Sequence, residues 1–125
     1  MLLDTHAFIW WVDDTPSLGA SARQQIDIVA NTVFVSAASA WEIAIKRSGG
    51  TLEAPQDVEQ WIADEGFSEL PIQVRHGVVA GGLPLHHRDP FDRMLVAQAQ
   101  VEGMVLVTAD DVLEEYDVEI LRADR

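Results

Sequence analysis

The run His86-His87-Arg88-Asp89-Pro90-Phe91-Asp92-Arg93-Met94-Leu95-Val96-Ala97-Gln98-Ala99, followed by Met104-Val105-Leu106-Val107-Thr108, decides how the rest of this 125-residue chain is read. The first segment is a loop handing over to a helix: Asp89 is a good N-cap, Pro90 suits the first helical position, and Asp92 stands at the third, where a carboxylate gains from the helix macrodipole. The second is a short apolar, β-branched run closed by Ala109-Asp110, the pattern of a strand buried on both faces.

Outward from that pair the same alternation recurs. Met1-Leu2-Leu3 is an apolar run ending at Asp4, and with the residues that follow, through Val12, it reads as a brief buried strand running into a helix. Asp13-Asp14-Thr15-Pro16 breaks that helix, and Ser17 is expected to cap a second one carrying Leu18, Ala22, Ile26 and Val29. Thr32-Val33-Phe34-Val35 reads as a buried strand, after which Ser36 opens a helix that stops at Gly49-Gly50. Residues 55–65 form an amphipathic helix, with Val58, Trp61 and Ile62 on one side and acids on the other. Residues 67–72 read as a strand with Pro71 at an edge or an end, 74–80 as a short helix ending at Gly81-Gly82, and 118–121 as a last strand. Strands alternating with helices predict a three-layer α/β/α sandwich around a mostly parallel sheet of four to five strands, in a single domain over 1–125.

Composition narrows the function. The absence of cysteine excludes disulfides, thiolate metal sites and a thiol nucleophile. Residues 7–12 are too short to span a bilayer and have no basic region before them, so a soluble, cytoplasmic protein is expected. Eight Lys and Arg against 21 Asp and Glu give a net charge of -13, which repels nucleic acid at long range. The acids crowd 53–69 and 102–124, whereas Lys46, Arg47, Arg88 and Arg93 flank two of the segments that carry candidate chemistry.

Those segments bring up four acids. Asp4 and Asp110 follow strands, so in a parallel sheet both emerge at the carboxyl edge, where open α/β sheets bind ligands. Helices that follow strands begin there too, which lets Asp92 and Glu42 approach the same crevice. Each acid alone has a local reading: Asp4 caps the next helix, Glu42 pairs with Lys46 at i, i+4, Asp92 belongs to a helix start, and Asp110 caps a last short helix. Glu42 fits its local reading worst, because Ala40-Trp41-Glu42-Ile43-Ala44-Ile45 surrounds it with apolar neighbours and burial costs several kcal/mol unless compensated. Clustered carboxylates either take raised pKa values or hold a divalent cation. Oxygen-only ligands favour Mg²⁺ or Mn²⁺, which suit phosphate chemistry.

Four stretches, Leu2-Leu3-Asp4-Thr5-His6, Ser36 to Lys46 with Trp41-Glu42 at its centre, His86 to Leu95, and Leu106-Val107-Thr108-Ala109-Asp110, together resemble PIN-domain proteins, and more narrowly the VapC toxins of type II toxin-antitoxin modules. The likeness spans essentially the whole chain in order. It implies a Mg²⁺- or Mn²⁺-dependent endoribonuclease with metal-binding acids at Asp4, Glu42, Asp92 and Asp110, homodimerisation, and inhibition by a cognate antitoxin. Asp111, next to Asp110, competes for the fourth position. Thr5, Ser39 and Thr108 are candidate hydroxyls for orienting a ligand or water, and Arg88 and Arg93 for reaching substrate phosphates, with Arg93 otherwise free to form a salt bridge. His86-His87 lacks a third nitrogen or sulfur ligand at suitable spacing, so a loop contact to RNA is expected instead of metal binding. The four tryptophans, Trp10, Trp11, Trp41 and Trp61, are expected mostly in the core, with one of the adjacent pair Trp10 and Trp11 in an apolar surface patch where an antitoxin packs. Two other readings stand beside this one: a catalytically weak PIN-like module that binds RNA or protein, and a phosphomonoesterase using Asp4 as nucleophile, which would usually carry an acid where this chain has His6.

Overall fold

A computed structural model describes residues 1–52 and 54–125. Five short strands, β1 (Leu2–Leu3), β2 (Phe34–Ser36), β3 (Ser68–Leu70), β4 (Leu106–Thr108) and β5 (Ile120–Arg122), lie in the order β3-β2-β1-β4-β5, every neighbouring pair parallel. The helices are α1 (Thr5–Val12), α2 (Ala20–Asp27), α3 (Ala37–Ser48), α4 (Val58–Asp64), α5 (Val74–Gly82) and α6 (Pro90–Glu102), with a 3₁₀ turn at Asp111–Glu115.

Alternation along the strands divides the core in two. Leu3, Val35 and Val107 pack with Phe8 and Ile9 of α1, Ala22 and Ile26 of α2, and Ile62 of α4. Their strand neighbours Leu2 and Leu106 pack with Ala80 of α5 and with Leu95, Val96 and Ala99 of α6. Because successive strand residues point to opposite faces, this partition makes the three layers expected from the sequence.

The strand order fixes where a site can form. From β1 the chain moves outward through β2 and β3, then returns to the other side of β1 with β4, so the topology switches direction between β1 and β4. Crevices open at the carboxyl ends of strands at such a point. The residues leaving those two ends are Asp4 and Ala109-Asp110.

Several expected boundaries move. The second helix begins at Ala20 with Gly19 as its N-cap, not at Ser17, and it ends before Val29, which is fully exposed. Gly19 is needed there: a Cβ on it would stand 2.2 Å from the Arg125 carbonyl carbon. The helix expected over 55–65 starts only at Val58, where Asp57 caps the Gln60 N–H. The edge strand β3 stops one residue before Pro71, which cannot donate to the ladder. Trp41 is 61% exposed and Trp61 37% exposed, so neither fills the core, while Trp10 and Trp11 are both partly buried against it.

Candidate metal centre

Three of the four acids line one cavity. Asp4, Asp92 and Asp110, with His6, Trp10 and Ala109, enclose about 230 Å³ at the β1–β4 switch point. Three larger cavities, of about 350, 320 and 240 Å³, lie away from this point, and none gathers a cluster of metal-ligating side chains among the described residues. The concentration of carboxylates, not size, marks the site.

Each acid is held by a local device. Asp4 caps α1, its Oδ1 accepting the Ala7 N–H at 2.8 Å, and it also takes a hydrogen bond from the Thr108 hydroxyl. Thr108 in turn accepts the Asp110 N–H at 3.1 Å, so one hydroxyl ties the two strand ends together. Asp110 caps the 3₁₀ turn through Oδ1, which accepts the Val112 N–H at 3.0 Å. Asp111 is turned outward onto Arg122 at 2.8 Å, so Asp110 is the acid that faces the cavity. Asp89 caps α6 by accepting the Phe91 and Asp92 N–H groups, as its sequence position predicts, and Pro90 is the first helical residue.

Glu42 sits behind the cavity on α3, only 3% exposed, and its burial is compensated. Thr5 donates its hydroxyl to Oε1 at 2.6 Å, the Ser39 hydroxyl lies 3.1 Å from Thr5, and Lys46 pairs with Oε2. That pairing raises the Lys46 pKa, chiefly through the hydrogen bond to Glu42. The local i, i+4 reading of Glu42 therefore holds, yet the residue also acts on the site: its charge raises both Asp4 and Asp92. Thr5, Ser39 and Thr108 serve here to position acids.

The electrostatics of the cavity disfavour a full set of negative charges. Burial pushes the Asp4 carboxyl above its ordinary range, outweighing the Thr108 and Ala7 hydrogen bonds that stabilise its anion. Burial also lifts Asp92 to about 7, with the charges of Asp89 and then Asp4 adding to the shift and His87 opposing it. This is the behaviour expected of carboxylates crowded in a poorly solvated crevice.

Two residues take places other than those expected. His87, read from the sequence as a loop contact to RNA, sits inside the acid cluster: its Nε2 is 3.0 Å from Asp92 Oδ2 and 3.0 Å from Asp110 Oδ2. Among the described residues, His87, Asp92 and Asp110 are the group whose candidate ligand atoms all lie within 4.8 Å of one another, and Asp4 and Glu42 stand outside it. Both neighbours of His87 are carboxylates and Asp110 comes from a different element, so local motif spacing carries no sign of the contact. Arg93, expected at a substrate phosphate, turns instead into its own domain and donates to the carbonyls of Ala80, Leu83, Pro84 and His87 at 2.8–3.2 Å. A guanidinium fork suits four acceptors spread from the end of α5 to the loop before α6 better than any other side chain.

By class this chain is a parallel α/β/α domain with acids gathered at its switch point. The PIN domain family model matches residues 1–119, and the chain belongs to that family. It is 28% identical over 119 residues to ribonuclease VapC22 of Mycobacterium tuberculosis, covering 93% of this chain and 91% of that protein. Its fold resembles the crystal structure of FitAcB from Neisseria gonorrhoeae, with a TM-score of 0.70 at 18% identity, covering 98% of this chain and 96% of the other. A toxin-antitoxin complex from Klebsiella pneumoniae matches with a TM-score of 0.69 at 14% identity over 98% and 96% of the two chains. Among the described residues, no helix is long and apolar enough to cross a membrane.

Proposed function

We propose that this protein is an endoribonuclease toxin of the VapC type, hydrolysing RNA phosphodiester bonds at a Mg²⁺ or Mn²⁺ site formed by Asp4, Glu42, Asp92 and Asp110. The observation that carries the reading is the convergence of Asp4, Asp92 and Asp110 on one cavity at the sheet's switch point, with Glu42 close enough to shift two of them. The donor set fits a hard divalent cation: it is all oxygen, it is anionic, and its burial leaves negative charge that a cation would offset. Asp4, Asp92 and Asp110 would hold the ion, with Glu42 at the rear of the site. A bound ion of this kind lowers the pKa of water and stabilises charge on a phosphate undergoing displacement.

The protein's own groups prepare that chemistry. Thr108 and the Ala7 N–H fix Asp4, the Val112 N–H fixes Asp110, and Thr5 with Lys46 fixes Glu42, so little reorganisation is required of the acids. Arg88 and Arg47 form no ion pair among the described residues and supply positive charge for the RNA backbone in an otherwise acidic protein. Exposed apolar residues on α3 (Trp41, Ile45) and α5 (Val74, Val78) offer surface for a second copy and for an antitoxin. The similarity to a ribonuclease and to toxin-antitoxin complexes supports the same assignment.

The deciding experiment incubates the purified protein with structured and unstructured RNA in Mg²⁺, in Mn²⁺ and in EDTA, beside Asp92→Asn. Metal-dependent cleavage by the wild type alone is expected. Cleavage unaffected by EDTA, or equal rates for the variant, would overturn the nuclease reading.

A further inference from the structure

We propose that His87 is a positioning residue of the metal centre: its Nε2–H donates to Asp110 and its ring edge lies 3.0 Å from Asp92, which holds the two carboxylates facing one another so that they bind a divalent ion together. The inference rests on the metal-site reading above and concerns how that site is built.

The two acids belong to elements that nothing in the sequence couples. Asp92 is in the first turn of α6 and Asp110 follows β4, yet the His87 ring is 3.0 Å from an oxygen of each. The ring's orientation is over-determined. Its Nδ1 lies 3.2 Å from the Asp89 N, whose N–H it accepts, so the neutral imidazole carries its proton on Nε2 and presents a donor to the acids. The same backbone amide contact disfavours the opposite tautomer, which would set two N–H groups against each other. Nε2 is accordingly a donor to the ligand carboxylates and not itself a ligand.

The backbone of His87 is clamped as firmly as its ring. The His87 N–H donates to the Tyr116 hydroxyl at 2.9 Å, that hydroxyl donates to the Pro84 carbonyl at 2.8 Å, and Arg93 reaches the His87 carbonyl at 3.2 Å. Arg93 immediately follows Asp92, so α6 carries an acid of the site and also the guanidinium that holds the loop bearing His87. The loop is thus locked to the helix start and to the turn after β4, the two places that supply the paired acids.

The pairing also leaves coordination capacity. Asp110 uses Oδ1 for the Val112 N–H and Oδ2 for His87, while Asp92 Oδ2 lies 3.0 Å from the same ring nitrogen. A carboxylate oxygen has two lone-pair directions, so each acid retains a direction toward the cavity. A neutral donor has a further advantage over Lys or Arg in this place: it orients the anions without a fixed positive charge that competes with the cation. Hydrogen bonds of this kind to metal-ligating groups typically govern affinity by about 10–100-fold.

The test is Mn²⁺ binding to the purified protein, followed by electron paramagnetic resonance, for the wild type, His87→Ala and His87→Gln. The alanine variant should bind Mn²⁺ about 10–100-fold more weakly, and the glutamine variant, which keeps an N–H donor, should recover part of the loss. Long-range ¹⁵N–¹H spectra should show His87 protonated at Nε2 with Nδ1 bare, and the Nε2–H resonance should shift when Mg²⁺ is added. Thermal melting without metal checks that the variants are folded. Equal Mn²⁺ affinity in wild type and His87→Ala, with the wild type binding, would overturn the inference and leave the metal site standing. Nitrogen hyperfine coupling from a directly coordinated imidazole, lost in His87→Ala, would make His87 a ligand and refute the positioning role. Failure of the wild type to bind Mn²⁺ at all would overturn the metal reading and this inference with it.

Discussion

Replacing Asp92 by Asn should stabilise the metal-free protein, and by an amount that depends on pH. The Asp92 carboxyl is raised from 3.8 to about 7, mainly by burial and then by the charges of Asp89 and Asp4. At roughly 1.4 kcal/mol per tenfold change in proton affinity, the folded state favours the neutral acid by at most about 4 kcal/mol. The sign follows from linkage: the folded form holds this proton more tightly than the unfolded chain, so the contribution is favourable at low pH and is lost as pH rises from 3.8 through about 7. Asparagine is neutral throughout and nearly the same shape. The variant and the wild type should therefore melt together near pH 4, diverge between pH 4 and 7, and differ by about 2–4 kcal/mol above pH 7, or about 10 °C in melting midpoint. Adding Mn²⁺ at pH 7.5 should close or reverse the gap, because only the wild type retains the full anionic site. Differential scanning fluorimetry across pH 4 to 8.5 in EDTA and in Mn²⁺ measures this directly. A gap independent of pH, or a less stable variant at pH 8 in EDTA, would refute the electrostatic account of the cavity.

Other substitutions separate the roles of neighbouring residues. Asp110→Asn should weaken Mn²⁺ binding and abolish RNA cleavage, whereas Asp111→Asn, altering an exposed partner of Arg122, should leave both within about twofold while changing stability by less than about 1 kcal/mol; matching losses in the two variants would show that the turn was misread. Arg93→Ala leaves four carbonyl acceptors without their guanidinium and should cost about 2–3 kcal/mol in urea unfolding. Arg93→Lys should recover less than half of that, since a point donor cannot span the four acceptors. Glu42→Gln keeps an acceptor for Thr5 but removes the partner that raises Lys46. It should lower stability by about 1–3 kcal/mol through the lost charge-assisted bond to Lys46 while reducing Mn²⁺ affinity, as seen by calorimetry; unchanged affinity would place Glu42 outside the metal centre.

How far the site could be seen in advance depended on whether the cause of each position was local. Asp89 and Pro90 announced the start of α6 because capping is decided within four residues, and Leu2-Leu3 with Leu106-Val107 announced buried strands because both faces of the sheet are covered. Asp4 and Asp110 followed from topology, since parallel strands deliver their carboxyl ends to one edge. The departures at the site involve partners distant in sequence. The His87 contact to Asp110 spans 23 residues, so nothing beside His87 in the chain shows it. The charge of Arg93 is visible in sequence and the carbonyls that bind it are not, and the Arg125 backbone that leaves no room for a Cβ on the Gly19 cap stands at the far end of the chain.

These departures have a common physical cause. A titratable or cationic side chain advertises its chemistry in sequence, whereas the backbone groups that satisfy it carry no residue-specific signal and exist only once the chain has folded. The run from His86 to Arg93 therefore encodes more than a helix start with one acid. Asp92 supplies a carboxylate, Asp89 orders both the helix and the His87 ring, and Arg93 and Tyr116 hold the loop that places that ring against Asp110. Asp92 should consequently depend on its neighbours for metal binding more than its exposure suggests, and disrupting the loop at Arg93 should reduce Mn²⁺ affinity as well as stability even though Arg93 touches none of the acids.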